Sequence, residues 1–137
     1  IEYASYVENY YGTPKEYVQQ QLENGKDVIL EIEIQGALKI KKQFPDTLLL
    51  FMVPPSASVL EERLRGRGTE TEEVVRKRLH RAVEEAEFIE QYDYLIVNDD
   101  LETCVKETHE IIQSQHHRVD QRRQFIDTLK EDLKRFL

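Results

Sequence analysis

With 137 residues, 39% apolar and 34% charged, the chain has the length and composition of one globular domain. Its formal net charge of −8 argues against nonspecific binding to nucleic acid or to an anionic membrane surface. The single cysteine, Cys104, excludes an internal disulfide framework and is typical of a cytoplasmic protein. No apolar run approaches the ~20 residues of a membrane span.

The opening segment IEYASYVENYYGT is aromatic and alternates irregularly, which predicts a pair of strands or a strand and a loop. Thr13, Pro14 and Glu16 then form the pattern of a helix start, with a hydroxyl cap, a proline at the first helical position and a carboxylate three residues after the cap. We expect this helix to run to about Asn24 and to stop at Gly25.

The central segments alternate between strand and helix patterns. DVILEIEI at 27–34 predicts a strand with one apolar face, and GALKIKKQF predicts a short helix that closes before Pro45. TLLLFMVPP at 47–55 is apolar on both faces, as is typical of a strand inside a parallel sheet. We expect Ser58 to cap the next helix, which ends at Gly66.

The last segments continue this alternation. Thr69 or Thr71 is expected to start a longer helix with apolar residues at helical spacing. YDYLIVNDD at 92–100 predicts a third buried strand, and Asp99 or Asp100 is expected to cap a final helix that runs to the C-terminus. Strands that alternate with helices are the pattern of parallel crossover units, so the predicted fold class is α/β.

Basic side chains concentrate in RLRGRGTETEEVVRKRLHR, residues 63–81, where seven basic residues face three acidic ones. Guanidinium groups make bidentate, permanently charged contacts with phosphate oxygens. Arg67 lies between two glycines and is expected on a mobile loop, while Arg78 and Arg81 share one helix face. The crowding of arginines at a glycine turn favours phosphate binding.

A solvated helix face is the alternative for part of this cluster. Glu72 and Glu73 precede Arg76 and Lys77 by four residues, the spacing of stabilising helix pairs. We accept that interpretation for these two basic residues. It does not account for the arginines beside the glycines.

Two carboxylates follow the predicted strand at 27–34. Glu31 and Glu33 are expected on one face at the carboxyl end of this strand, where open α/β sheets bind ligands. They could hold Mg²⁺ through water or accept hydrogen bonds from a base, and the solvent face of an edge strand is the alternative. No metal is assigned to the four histidines, His80, His109, His116 and His117.

The segments IEYASYVENYYGTP, VILEIEIQGA, LFMVPPS, LEERLRGRGTETEE and YDYLIVNDDL resemble guanylate kinases in order and spacing, over about residues 1–112. The resemblance implies a partial P-loop nucleoside monophosphate kinase fold with a parallel sheet, flanking helices and a lid. By this resemblance, residues 1–27 are part of the GMP-binding region and residues 28–62 are core strands and helices. Residues 63–82 are the arginine-rich lid, and residues 83–137 are a core strand with the C-terminal helix.

The same resemblance implies roles for individual residues. Arg67 and Arg78, supported by Arg63, would clamp the phosphoryl group that passes from ATP to GMP or dGMP. Glu31 would lie near the Mg²⁺ that accompanies ATP, separated from it by water, and Asn98 would lie with Arg67 on the ATP side. The implied GMP-binding residues are Glu2, Tyr11, Gly12, Thr13 and Glu33. For Tyr11 and Thr13, chemistry alone favours packing and helix capping instead.

One family motif has no match in these 137 residues, the phosphate-cradling G-x-x-x-x-G-K-[ST] loop. Together with a first residue that is not methionine, this leads us to expect the C-terminal part of a guanylate kinase that is inactive by itself. Exposed sheet edges further predict poor folding or pairing with a second copy.

Two other functions are compatible with parts of the pattern. A guanylate-kinase-like binding module for phosphorylated protein partners is one, but the joint presence of Arg67, Arg78, Glu33 and Asn98 favours the enzyme. A different P-loop kinase with another acceptor is disfavoured by the residues on the GMP side. We expect no nucleic-acid or membrane partner.

The C-terminal segment carries a separate pattern. Val119, Ile126 and Leu133 recur every seven residues, as do Leu129 and Phe136. This seam predicts either docking on the domain itself or a homodimer through the C-terminal helix, and two heptads do not decide between them.

Overall fold

The computed structural model describes residues 3–6, 9–12 and 15–137, with side chains from Lys15 onwards. Its strands are β1 (Tyr3–Tyr6), β2 (Asn9–Gly12), β3 (Leu50–Val53) and β4 (Tyr94–Val97). Its α-helices are α1 (Lys15–Glu23), α2 (Ile34–Gln43), α3 (Ala57–Gly66), α4 (Glu72–Ala86), α5 (Leu101–Gln115) and α6 (Arg123–Leu133). Short 3₁₀ turns lie at Ile89–Gln91, Val119–Gln121 and Lys134–Phe136.

The first two strands form an antiparallel pair. Tyr3 lies opposite Gly12, and Tyr6 lies opposite Asn9. Of the two alternatives for the opening segment, the structure therefore confirms the strand pair.

The other two strands, β3 and β4, pair in parallel. The Tyr94 N–H donates to the Leu49 carbonyl at 3.1 Å, and four residues further on the Asn98 N–H donates to the Val53 carbonyl at 2.7 Å. Because both strands advance together between these two bonds, they run in the same direction. The predicted α/β class with a parallel sheet is confirmed.

Burial of this sheet is less complete than the sequence predicted. Ile96 is 1% exposed, whereas Met52 and Leu95 are 50% and 54% exposed. The prediction that these strands are covered on both faces is wrong. An apolar run records the hydrophobicity of a strand, but coverage of each face depends on the elements that pack against it.

Two compact units divide the chain, one of residues 1–51 and 61–95 and the other of residues 52–60 and 96–137. Buried apolar side chains of the first unit come from α1, α2, α4 and the residue before β3, namely Val18, Ala37, Ile40, Val75 and Leu49. In the second unit the buried residues are Ile96 and Cys104.

The predicted strand at 27–34 is wrong. Residues 26–33 are neither helix nor strand, and α2 begins at Ile34. The apolar alternation is still visible, because Val28, Leu30 and Ile32 are half-buried on either side of an exposed Ile29. Alternation predicts which side chains are shielded, whereas a strand also needs a neighbour that pairs with its backbone.

Most predicted helix boundaries are confirmed. Thr71 caps α4 by accepting from the Val74 N–H at 3.3 Å, and α3 ends at Gly66. After α1, Gly25 takes a φ of 77°, a left-handed value that favours glycine. The capping hydroxyl of α3 was predicted wrongly, since Ser56 rather than Ser58 accepts from Val59 N–H, at 3.2 Å. The predicted cap Thr13 and Pro14 lie outside the described residues.

The predicted single helix at the C-terminus is also wrong. Asp100 caps α5 as expected, but that helix ends at Gln115, and a 3₁₀ turn separates it from α6. Val119 lies in this turn and Phe136 in the last one. The heptad seam is therefore not continuous along one helix.

Candidate active site

The arginine-rich segment forms a helix, a glycine loop and a second helix. Gly66 is the last residue of α3, and Arg67 and Gly68 follow it. The loop then leads to Thr71, which caps α4. Gly68 has a φ of 65°, a conformation that side chains rarely adopt. Arg67 is exposed, and among the described residues no ion pair holds its guanidinium. A chain reversal thus presents one arginine to solvent.

Arg65 joins the end of α3 to the start of α4. Its guanidinium donates to Glu72 and lies 3.7 Å from Glu61. The hydrogen bond with Glu72 raises the pKa of Arg65, and the same bond holds the pKa of Glu72 below its usual value. Because two carboxylates surround this one guanidinium, we interpret Arg65 as a brace of the lid rather than as a phosphate ligand.

Arg78 lies on α4 and is held by a different carboxylate. Its Nη2 is 2.9 Å from Oε1 of Glu70, the residue just before the helix cap. Half of the Arg78 side chain remains exposed. Arg63 is exposed near the end of α3. The structure thus places all three predicted phosphoryl-clamping arginines within one lid segment.

The remaining basic residues of the first turns of α4 form ordinary surface pairs. Arg76 Nε lies 3.5 Å from Glu72, and Lys77 Nζ lies 3.6 Å from Glu73. Both basic side chains are at least three-quarters exposed. The prediction of a solvated helix face for this pair of residues is confirmed.

Glu33 is placed by the start of α2. Its Oε1 accepts from the Gly36 N–H at 3.1 Å, which caps the helix. The predicted arrangement, with Glu31 and Glu33 on one strand face, is wrong because no strand is present at these residues. Glu31 is exposed, whereas Glu33 is half-buried.

Glu33 also lines a cavity of about 290 Å³ between the start of α2 and α4. Its other lining residues are Ile34, Gln35, Lys77, His80, Arg81, Glu84, Glu85 and Phe88. Burial raises the pKa of Tyr92, and the charges of Glu85 and Glu33 raise it further. Arg81 pairs with Glu85 at 2.8 Å on the wall of this cavity, which leaves the carboxylate of Glu33 as the acceptor for a ligand that offers N–H donors.

Asn98 and the residues of the first strands complete the predicted set. Asn98 follows β4 in the second unit and is half-buried. Tyr11 and Gly12 lie in β2, and only their backbone is described. Glu2 and Thr13 lie outside the described residues.

Mg²⁺, which the sequence resemblance implies, would meet few protein oxygens in the described part of the chain. No group of three or more His, Cys, Asp or Glu side chains is positioned there to hold a metal ion. Mg²⁺ usually keeps several waters and takes one or two carboxylates together with substrate phosphates. The exposed carboxylate of Glu31 fits that mode.

Sequence reasoning missed two residues of the lid, Arg65 as a brace and Glu70 as the partner of Arg78. The i, i+4 rule finds Glu61 for Arg65 but not Glu72, seven residues away. Glu70 and Arg78 are eight residues apart, a spacing that no helix rule pairs. The only signal was the acidic residue between two threonines in RGTETEE.

Comparison with known proteins identifies relatives along most of the chain. A family model described as guanylate kinase matches residues 1–115. A guanylate kinase of Halalkalibacterium halodurans is 49% identical over 116 residues, which are 85% of this chain and 57% of that protein. A guanylate kinase of Streptococcus thermophilus (strain CNRZ 1066) is 50% identical over 120 residues, or 88% of this chain and 57% of that protein.

A solved structure agrees with these relatives. The crystal structure of guanylate kinase from Anaplasma phagocytophilum matches with a TM-score of 0.69 and 30% identity, over 87% of this chain and 57% of that one. The chain therefore spans somewhat more than half the length of the proteins it matches. Residues 116–137 lie beyond the family match.

Proposed function

The chain belongs to the guanylate kinase family, and from this premise we propose that it carries the lid and part of the acceptor site of an ATP:GMP phosphotransferase. In this reaction an oxygen of the GMP phosphate attacks the γ-phosphorus of ATP. The bond between that phosphorus and the bridging oxygen breaks, and ADP and GDP result. Most of the catalysis in such a transfer comes from positioning and from charge stabilisation.

The observation that carries the proposal is the state of Arg67. Its guanidinium is exposed on a glycine loop, and no carboxylate holds it among the described residues. Arg65, two residues earlier, is by contrast surrounded by two acids. An arginine without a counter-ion is ready to donate to the equatorial oxygens of a transferred phosphoryl group, where negative charge concentrates.

Glu33 is the candidate for recognition of the guanine base. Its Oε1 is committed to the helix cap, which fixes the carboxylate and leaves Oε2 to accept from a ligand. Guanine offers an N1–H and an exocyclic amine side by side, and adenine does not. A site that leaves a buried carboxylate without donors rejects the wrong base strongly. Glu2 would be the second acceptor.

The other predicted contacts complete the proposal. Tyr11, Gly12 and Thr13 would contact the GMP phosphate and the neighbouring base edge, and Asn98 would lie by the adenine of ATP. Glu31 would hold Mg²⁺ through water, and the ion would neutralise phosphate charge when bound with ATP. The reactants and the single buried cysteine suit a cytoplasmic protein.

We further propose that the 137 residues by themselves do not turn over. The phosphate-cradling loop has no match in them, and nothing else in the chain is rich enough in glycine to replace it. Without backbone N–H groups around the ATP phosphates, the lid arginines have no fixed target. A homodimer, through the sheet edges or through exposed apolar residues of α6 such as Leu129 and Leu133, is a further proposal to test.

ADP release from ATP and Mg²⁺ with GMP, AMP, CMP or UMP as acceptor tests the function. The enzyme is the chain extended upstream in its gene, with Glu33→Gln as the variant. We expect GMP-dependent release only, and a KM for GMP raised by about tenfold in the variant, because the single amide oxygen of Gln can serve the helix cap or the base, whereas the carboxylate has one oxygen for each. Binding of a phosphorylated peptide without turnover would favour the scaffold-type module instead.

A further inference from the structure

We propose that Glu70 is a positioning residue that orients the Arg78 guanidinium for phosphoryl transfer, an inference that rests on the function proposed above. The two are joined by one contact, Nη2 of Arg78 to Oε1 of Glu70, at 2.9 Å. A guanidinium has five N–H donors in a rigid fork. One donor is thus used to fix the group, and the others stay available for phosphate oxygens.

Glu70 differs in its burial from the other acids in the lid and just before it. Its side chain is 17% exposed, whereas those of Glu61, Glu72 and Glu73 are 53%, 52% and 80% exposed. Exposed pairs contribute little to stability or to side-chain order, because water and salt screen them. A shielded carboxylate holds its partner more firmly.

The second oxygen of Glu70 supports a functional reason for this burial. Oε2 is buried and has no hydrogen-bond partner among the described residues. A buried carboxylate oxygen without a donor is unfavourable, and such groups are uncommon in native proteins. At an exposed position of the same loop, water would solvate both carboxylate oxygens. The unfavourable placement is explained if it fixes Arg78.

Arg65 shows what a structural arginine of the same lid looks like. Two carboxylates, one from each flanking helix, lie beside it, so its positive charge is already compensated within the protein. Among the residues with described side chains, Arg78 pairs with one acid, and half of its side chain is open to solvent. Within the lid, Arg65 therefore has a structural role, and Arg78 is the arginine that is held in position for a ligand.

The test is a double-mutant cycle on the extended chain, with kcat and KM for GMP as readouts. Glu70→Ala is expected to lower kcat on the order of 10²-fold with the KM for GMP near wild type, because a misplaced catalytic group costs about that much. In an Arg78→Ala background, Glu70→Ala should lower kcat no further, because Glu70 acts through that guanidinium. Glu70→Gln, which keeps one acceptor, should recover part of the loss.

Glu73→Gln is the matched control, since Glu73 is an exposed acid of the same segment paired with Lys77. It should leave kcat near wild type. Equal losses for Glu70→Ala with and without Arg78, or a kcat raised by Glu70→Gln, would overturn the proposal, and the second result would show that Glu70 restrains the lid instead.

A measurement that needs no turnover separates this inference from the proposed function. Rotation of the Arg78 guanidinium, followed by ¹⁵N NMR on the same extended chain as the kinetic measurements, should be slow in wild type and fast in Glu70→Ala. No GMP-dependent turnover in any wild-type form would reject the function while the slow rotation persisted. Fast rotation in wild type would reject the positioning role whatever the activity.

Discussion

Individual arginines of the lid have unequal surroundings, and their chemistry follows from this. Arg65 and Arg76 share the acid Glu72, and Arg78 has Glu70. Arg67 has no ion-pair partner in the described part of the chain. The charge that most readily meets a phosphate is therefore the one on the glycine loop.

Replacement of Arg67 by alanine should lower kcat on the order of 10³-fold, the lower bound for arginines that stabilise transferred phosphoryl groups. The measurement is GMP-dependent ADP release by the extended chain. Arg76→Ala is the control, because its side chain is 78% exposed and its pair with Glu72 lies on the surface. Similar losses in both variants would indicate that general positive charge, and not Arg67, matters.

Residue identity predicts part of the candidate site. A cluster of guanidiniums beside glycines predicts phosphate binding from composition alone, and the surface pairs of α4 follow from i, i+4 spacing. Glu70 could not be found in this way. Its contact with Arg78 depends on how the chain before the helix cap folds back along α4, which no fixed spacing describes.

At the scale of elements, the loop between α3 and α4 depends on two different glycines. Gly68 has a left-handed φ, whereas Gly66 is the last residue of α3 and has no such restriction. An added Cβ would meet no atom within 4 Å at either position. Only the backbone conformation distinguishes the two.

Gly68→Ala should therefore destabilise the chain by about 1 kcal/mol, the cost of a left-handed conformation for a residue with a Cβ. Gly66→Ala should stabilise it by about 0.5 kcal/mol, because alanine favours the helical conformation. Urea denaturation of both variants measures the difference. A loss of equal size in both would show that the loop tolerates no side chain at all.

The start of α5 provides a pH-dependent prediction. Hydrogen bonds from the hydroxyl and the N–H of Thr103 hold the pKa of Asp100 below its ordinary value of 3.8. A carboxyl group with a lowered folded-state pKa stabilises the protein above its unfolded pKa, and this contribution is lost as the pH falls through the folded value.

Asp100→Asn keeps a capping side chain but does not titrate. The wild type should exceed this variant in urea midpoint at pH 7, and the gap should close as the pH falls through 3.8 and below. The pKa values of Glu72 and Asp120 are also lowered. Both acids are present in the wild type and in the variant, so their contributions to the pH dependence of stability cancel in the comparison. A gap that stays constant with pH would contradict the assigned hydrogen bonds.

Helix ends were easier to predict than strands and helix breaks. Thr71, Gly25 and Gly66 act through local chemistry and are found at the expected places. The strand at 27–34 failed because pairing is not local. The break between α5 and α6 contains neither glycine nor proline, and its Arg118–Asp120 pair, at 3.0 Å, cannot be inferred from hydrophobic periodicity.

At the scale of the whole molecule, the chain divides into two compact units, and the family match covers residues 1–115. In the described residues no helix has the length and apolarity to cross a membrane. Exposed apolar residues remain on the C-terminal helix and the turn that follows it, among them Leu129, Leu133 and Phe136. The predicted contact with a second copy would appear as a dimer mass in sedimentation of the chain.

We propose that this lid acts in transfer of phosphate from ATP to GMP and that the 137 residues alone do not turn over. The most direct measurement is GMP-dependent ADP release, made in parallel on the 137 residues and on the chain extended upstream in its gene. We predict turnover in the extended chain and none in the shorter one. Turnover of GMP by the 137 residues alone, or absence of turnover in both, would contradict the account.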